Sequence, residues 1–256
     1  MARLRSKTKK GEGKGKAASG SGGLVAVITG DVIGSRRLAA PLARRLGDTL
    51  RASGKLVGEI VGPEVMPLPV DVFRGDSWQM LLTSPASALR AMLLFRAHFR
   101  AAMQPDSRSP VDTRMALAVG RLEPPLPARV SESLAPVFQR SGSALEAMRD
   151  RRMSLAEADT ATESEAVLPA EWDVILRLLD EFASDWTAKQ ALAVEGALRG
   201  LRQEEIGALW RPAIKQPTVA DHLRAAHWNA VEHALDAYEA RAAGAAALTR
   251  AWGPGT

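Results

Sequence analysis

The sequence contains no cysteine, which excludes disulfides and thiolate-ligated metals and fits a reducing compartment. Histidine is scarce: His98, His222, His227 and His233 are the whole set. The last three are spaced by five and six positions, not by the i, i+4 step that puts two imidazoles on one helical face, so no zinc site is expected. No apolar run approaches the roughly 20 residues that span a bilayer. The opening residues are basic but no apolar stretch follows them, so no secretory signal is read there. A cytoplasmic protein without a membrane partner is the expectation.

Most of the chain also lacks an excess of charge. The formal net charge is +5, but Arg3, Arg5, Lys7, Lys9, Lys10, Lys14 and Lys16 against Glu12 more than account for it. The remainder is close to neutral, so any nucleic-acid footprint must be local. Residues 1–23 are rich in Lys, Gly and Ser with almost nothing to bury, and read as a disordered basic tail. Its charge would draw DNA or RNA without specificity. With 256 residues, the chain has room for one large domain or two modest ones.

What is present begins with Leu24-Val25-Ala26-Val27-Ile28-Thr29, a near-continuous apolar run of the kind a doubly buried strand shows. A helix is expected over about 36–52, from Leu38, Leu42, Leu46 and Leu50, with its regular part starting near Pro41. Residues 53–64 read as a loop or part of a strand, followed by hairpin strands near 67–73 and 77–83 around a Gly75-Asp76 turn. Ser84-Pro85 marks a helix start; that helix buries Leu89, Met92, Leu93, Phe95 and Phe99, with Arg96 and Arg100 on its solvent side. A strand over 111–122 completes a β-α-β-β-α-β order, the split βαβ or ferredoxin-like arrangement. A helix near 134–151 and a short strand near 153–158 follow. The polar, acidic 159–168 reads as a linker, the remainder to 243 as all-helical, and 244–256 as a tail.

Two carboxylates stand out. Asp31 ends the first strand and Asp76 sits on the hairpin tip, where two sets of oxygens can meet a hard divalent cation, Mg²⁺ or Mn²⁺. The turn Val32-Ile33-Gly34-Ser35 feeds a helix start, whose N–H groups suit an anion; Ser35 is a natural N-cap. With Arg74, Gly75 and Ser77 on the facing hairpin, these residues form a candidate anion site, which the resemblance described below makes a nucleotide site. The same pattern also suits a structural role, with Asp31 capping the next helix and Asp76 serving the turn.

The C-terminal pattern resembles the helix-turn-helix of bacterial regulators and of the promoter-reading region of sigma factors. Gln203, Glu205 and Ile206 match its first helix, and Gln216, Thr218, Val219, Leu223 and Arg224 its second. The resemblance implies DNA contact through Lys215, Gln216, Thr218, His222 and Arg224, with Lys215 and Arg224 mainly on phosphate. A helical docking or dimerisation unit would use the same core. Asp31-Val32-Ile33-Gly34-Ser35, Gly75-Asp76 and Arg114-Met115-Ala116-Leu117-Ala118-Val119-Gly120 resemble motifs of class III nucleotidyl cyclases, GGDEF enzymes and palm-type polymerases. There the paired aspartates hold the ions that bridge a triphosphate.

The combination resembles the SatD family over roughly 24–243, through Gly30-Asp31-Val32-Ile33-Gly34-Ser35-Arg36, Phe73-Arg74-Gly75-Asp76-Ser77-Trp78-Gln79, Ser141-Gly142 before Ala144-Leu145, and Trp186-Thr187 before Lys189-Gln190. That implies an α+β, ferredoxin-like palm domain at 24–158 and a helix-turn-helix domain at 169–243. The expected function is a DNA-binding regulator whose palm binds a nucleotide and a divalent metal. An active nucleotidyl cyclase or transferase using Asp31 and Asp76, and a palm that serves only as a homodimer scaffold, stay open beside it.

Overall fold

In the computed structural model of the protein, residues 22–104, 107–156 and 171–251 are described, with side chains up to 244. The basic tail up to residue 21, the expected linker at 159–168 and the last five residues lie outside the described residues. The described chain is α+β, with a five-stranded mixed sheet and eight α-helices. No helix among the described residues is long and apolar enough to cross a membrane.

The apolar run becomes the centre of strand β1 (Gly23–Val32), and it is buried on both faces. Two antiparallel neighbours flank it: β3 (Ser77–Leu82) on one side and β4 (Thr113–Leu122) on the other. The short β2 (Asp71–Phe73) extends the sheet beyond β3, and β5 (Met153–Leu155) runs parallel to β4 at the opposite edge, giving the order β2-β3-β1-β4-β5. Alternation sends Ala26, Ile28, Trp78, Met80, Met115 and Leu117 into a core with α1 (Ala40–Val61) and α2 (Ala88–Met103). Val25, Val27, Leu81 and Ala118 turn the other way, towards α3 (Pro136–Ala147).

Helix α1 starts where Pro41 occupies its first turn, a place where the missing N–H costs nothing. It does not stop near Ala52: it continues to Val61, through the residues expected to form a loop. Its small residues permit close packing. Ser53 Oγ donates back to the Thr49 carbonyl at 2.9 Å, and a Cβ on Gly54 would lie 2.2 Å from Val70 Cγ1. The hairpin strand expected from residue 67 is correspondingly short, because the chain there covers α1 before joining the sheet.

The C-terminal helices are α4 (Glu171–Asp185), α5 (Ala188–Leu198), α6 (Gln203–Gly207), α7 (Gln216–Ala225) and α8 (Trp228–Ala251). Helix α5 begins with a capping box, in which Thr187 Oγ1 accepts the Gln190 N–H while the Gln190 side chain accepts the Thr187 N–H. The helix starting at Gln216 ends at Ala225, because His227 takes a positive φ of 58° before α8 begins. Trp172, Leu176, Trp186, Val194, Val219 and Tyr238 belong to the same continuous core as the sheet and α2.

Arg96 and Arg100, expected on the solvent side of α2, are 0% and 2% exposed. Helices α4 and α5 cover that side, and the two guanidinium groups meet carboxylates from distant sequence. Asp112 accepts from Arg96 Nε at 3.0 Å and Nη2 at 2.7 Å, from Arg152 Nη1 at 3.2 Å and from Arg100. Asp180 of α4 accepts from Arg96 Nη1 at 2.7 Å and from the backbone N–H groups of Arg152 (2.5 Å) and Met153 (3.1 Å). Burial pushes the Asp112 carboxyl up, but Arg96, Arg100 and Arg152 outweigh it and hold the group below its usual 3.8. A carboxyl depressed in the folded state stabilises above its unfolded value and stops doing so as pH falls through the folded one.

Removing one partner from a buried ion cluster leaves an uncompensated charge, so Asp112→Ala should cost about 3–5 kcal/mol in urea unfolding at pH 7. The loss of stability on acidification below about pH 4 should be shallower in Asp112→Asn than in the parent chain. Equal acid slopes in the two proteins would place the acid-sensitive group elsewhere.

Candidate functional site

Asp31 and Asp76 are brought to one end of the sheet but are given different work. Asp31 pairs with Ser77 on one side and Arg114 on the other in the strand register, so all three side chains share the α3 face. Both Asp31 oxygens accept from Arg114, Oδ1 from Nε at 2.9 Å and Oδ2 from Nη2 at 2.5 Å. This bidentate bond and the attraction to Asp31 outweigh partial burial and raise the Arg114 pKa further. The Asp76 carboxylate instead accepts from Ser35 Oγ at 2.5 Å and from Ser77 Oγ at 3.4 Å.

The hairpin turn needs two consecutive residues with positive φ. Gly75 (86°) takes one without steric cost and Arg74 (52°) takes the other. Trp78, next to that turn, explains a feature of β1. Its indole lies over Gly30, where a Cβ would come 2.5 Å from the ring. The ring stacks on Phe95 at 3.9 Å between centroids, and its Nε1 donates to Thr113 Oγ1 at 3.1 Å. Thr113 Oγ1 in turn donates to the Asp31 carbonyl at 2.6 Å.

Four residues were expected to cradle an anion in the turn after β1. Val32 N–H donates to the Asp76 carbonyl at 3.1 Å and Ile33 N–H to the Asp112 carbonyl at 2.9 Å, so these two are already engaged. Gly34 adopts φ 67° ahead of a short 3₁₀ turn, Ser35–Arg37, and the Ser35 hydroxyl binds Asp76 rather than capping that turn. A pocket of about 320 Å³ opens instead on the α3 side, and Asp31, Arg74, Ser77 and Arg114 line it. Thr29 and Gln79 line it too; Gln79 Nε2 donates to Thr29 Oγ1 at 2.8 Å, and behind them Thr29 Oγ1 lies 2.6 Å from Ser141 Oγ.

Arg114 thus binds the Asp31 carboxylate, and Ser35 and Ser77 bind that of Asp76. Among the described residues no group of three or more His, Asp or Glu side chains is gathered as metal ligands. What the pocket offers is a guanidinium–carboxylate pair flanked by hydroxyl and amide groups, which suits a polar organic or anionic ligand. Sequence reasoning missed Arg114, Thr29, Gln79 and Ser141 as parts of this site. The signal was the strand register, which is not written locally.

In the C-terminal part α6 and α7 pack on α5. A Cβ on Gly196 would lie 2.7 Å from Ile206 Cγ1, and one on Gly207 would lie 2.4 Å from the Ile214 carbonyl, whose N–H donates back to Gly207 O at 3.1 Å. Glycine is therefore required at both crossings. Val219 and Leu223 of α7 are buried, while Lys215, Gln216, Thr218 and Arg224 are exposed. His222 is half-buried and stacks on Trp210 at 5.7 Å, and Arg224 pairs with Asp221 at 2.6 Å. Of the five expected DNA contacts, four thus face outward and His222 serves the turn.

Comparison with known families finds no family model that matches the chain, and no curated protein matches it.

Gly30→Ala should destabilise the protein by about 1–3 kcal/mol, because the methyl group has no room beneath Trp78. Gly23→Ala, with nothing within 4 Å, should stay within about 0.5 kcal/mol of the parent in the same denaturation experiment. The Asp31–Arg114 pair is 26% and 30% exposed, so Asp31→Asn should cost no more than about 1 kcal/mol. That makes it a clean variant for binding assays; a loss several-fold larger would give Asp31 a structural role instead.

Proposed function

We propose that this protein is a DNA-binding regulator of the SatD type, with a helix-turn-helix built on α5, α6 and α7 and a ferredoxin-like palm that takes a nucleotide near Asp31. The observation that carries the proposal is the set of exposed polar side chains at and along α7. Lys215 at its N-cap and Gln216, Thr218 and Arg224 within it are exposed, while Val219 and Leu223 pack it against the core. In such modules the start of the second helix meets base edges while cationic side chains hold phosphate. Gln216 and Thr218 fit the first role, Lys215 and Arg224 the second. A homodimer on a two-fold related site, in the cytoplasm, belongs to the same proposal.

The palm half is supported by the strand order β2-β3-β1-β4 with α1 and α2 on one face. The ligand half is supported by the polar pocket at Asp31, Arg74, Ser77 and Arg114. A divalent ion, Mg²⁺ or Mn²⁺, enters this proposal only in a state where Arg114 has left Asp31. Turnover through Asp31 and Asp76 would demand that both carboxylates be released from their present partners, whereas regulation demands no such rearrangement. Because α5 shares one core with α2 and the sheet, a ligand that favoured one arrangement of the palm would bias the DNA-reading helix.

Selection from a random duplex library, followed by fluorescence anisotropy, tests the DNA half. Gln216→Ala should weaken the selected site by about 10-fold or more and relax its sequence. Arg224→Ala should weaken all duplexes alike and lower the salt slope. Asp221→Asn should tighten binding, since it frees Arg224 and removes a negative charge from the same face. Failure of all three substitutions to alter binding would exclude α7 as the contact surface.

A further inference from the structure

A cleft of about 990 Å³ opens on the other flank of α3 from the Asp31 pocket, bounded by α3, β5 and the first turns of α4. Four arginines line it: Arg140 of α3, Arg149 and Arg151 from the segment leading to β5, and Arg177 of α4. Two carboxylates, Asp150 and Asp173, share its walls. Asp173 is already committed, because it accepts the Leu155 N–H at 2.9 Å and pairs with Arg151. Arg149 and Arg177 are exposed at the two sides of the opening. Positive charge therefore dominates the cleft, although the folded part as a whole is close to neutral.

The floor supplies a second and independent observation. Ser154 is only 2% exposed. Its register opposite Ala116 turns it to the α3 side, where it lines the same cleft. Its Oγ is buried without any hydrogen-bond partner. Buried hydroxyl groups nearly always find one. A donor with no acceptor, beneath guanidinium groups with forks suited to tetrahedral oxyanions, defines the missing chemistry. The volume lies at the upper end of the range for small-molecule sites, larger than a lone phosphate fills.

We propose that this cleft binds a small ligand carrying two or more phosphate groups, with Arg149 and Arg177 as its charged contacts and Ser154 Oγ donating from the floor. Such a ligand bridges the sheet edge and α4. The site is separate from the Asp31 pocket and does not depend on DNA binding.

Calorimetric titration of the full chain with pyrophosphate, tripolyphosphate and ATP tests it. At least one probe should bind saturably, with affinity at least 10-fold lower in Arg149→Ala/Arg177→Ala and about threefold lower in Ser154→Ala. Arg44→Ala, an exposed arginine of α1 outside both pockets, should leave it unchanged. Equal binding of tripolyphosphate and ATP means that the phosphate chain alone is recognised; preference for ATP means that the nucleoside is read as well, and both outcomes support the site. Both arginines are exposed, so the double variant should keep the parent circular dichroism. Absence of saturable binding overturns the proposal, as does unchanged affinity in the double variant, which would assign binding to the basic tail. Loss in Asp31→Asn alone would move the ligand to the other pocket. A double variant impaired only for duplex DNA would make the cleft a nucleic-acid surface and overturn it equally.

Discussion

Asp112 is buried to 5% exposure among three arginines, and that requirement for compensation organises the molecule. A charge in a low-dielectric interior is tolerated only when its partners are held in good geometry. Arg96 and Arg100 come from α2, Arg152 from the start of β5, and Asp180, which shares Arg96, from α4. Four elements must therefore keep their relative positions for any one of these charges to be satisfied. Arg100 extends the tie further by donating to the Ser184 carbonyl at 3.0 Å and to the Trp186 carbonyl, where α4 gives way to α5. The helical part is anchored to the sheet through a polar knot as well as through apolar packing.

Asp112 and the first two residues of β4 set the geometry of the Asp31 pocket. Asp112 faces the buried cluster and its carbonyl accepts the Ile33 N–H, Thr113 links Trp78 to the Asp31 carbonyl, and Arg114 grips the Asp31 carboxylate. Three consecutive residues so couple the core, the hairpin and the site. Gly30 completes the arrangement by leaving space for Trp78. Helix α3 then divides the outer face into two clefts of different character. One is polar, with its Asp–Arg pair internally neutralised; the other is rich in arginine, with a hydroxyl left unpaired at its floor.

Much of the architecture was legible because it rests on local signals. The apolar run of β1, the Gly75 turn, Pro217 in the first turn of α7 and Gly200 after α5 all act through backbone preferences that travel with the residue. The failures share a cause. Ser53 and Gly54 look like helix breakers, yet α1 runs through them: Gly54 leaves room for Val70 against the helix, and Ser53 Oγ lies 2.9 Å from His98 Nδ1 of α2. Arg96 and Arg100 look like a solvent face because arginine usually is one, and only the arrival of α4 and α5 buries them.

By itself the sequence determined the α+β class, the approximate order of elements, the hairpin that carries Asp76 and the polar character of most of the α7 surface. These follow from periodicity and from residues that restrict φ, both properties of short segments. The tertiary structure alone decided that Asp31 faces Arg114, that Asp112 is the hub of a buried cluster, and that four arginines and Ser154 line one cleft. Each of these depends on strand register and on contacts between residues far apart in the chain, and no local preference encodes such pairings.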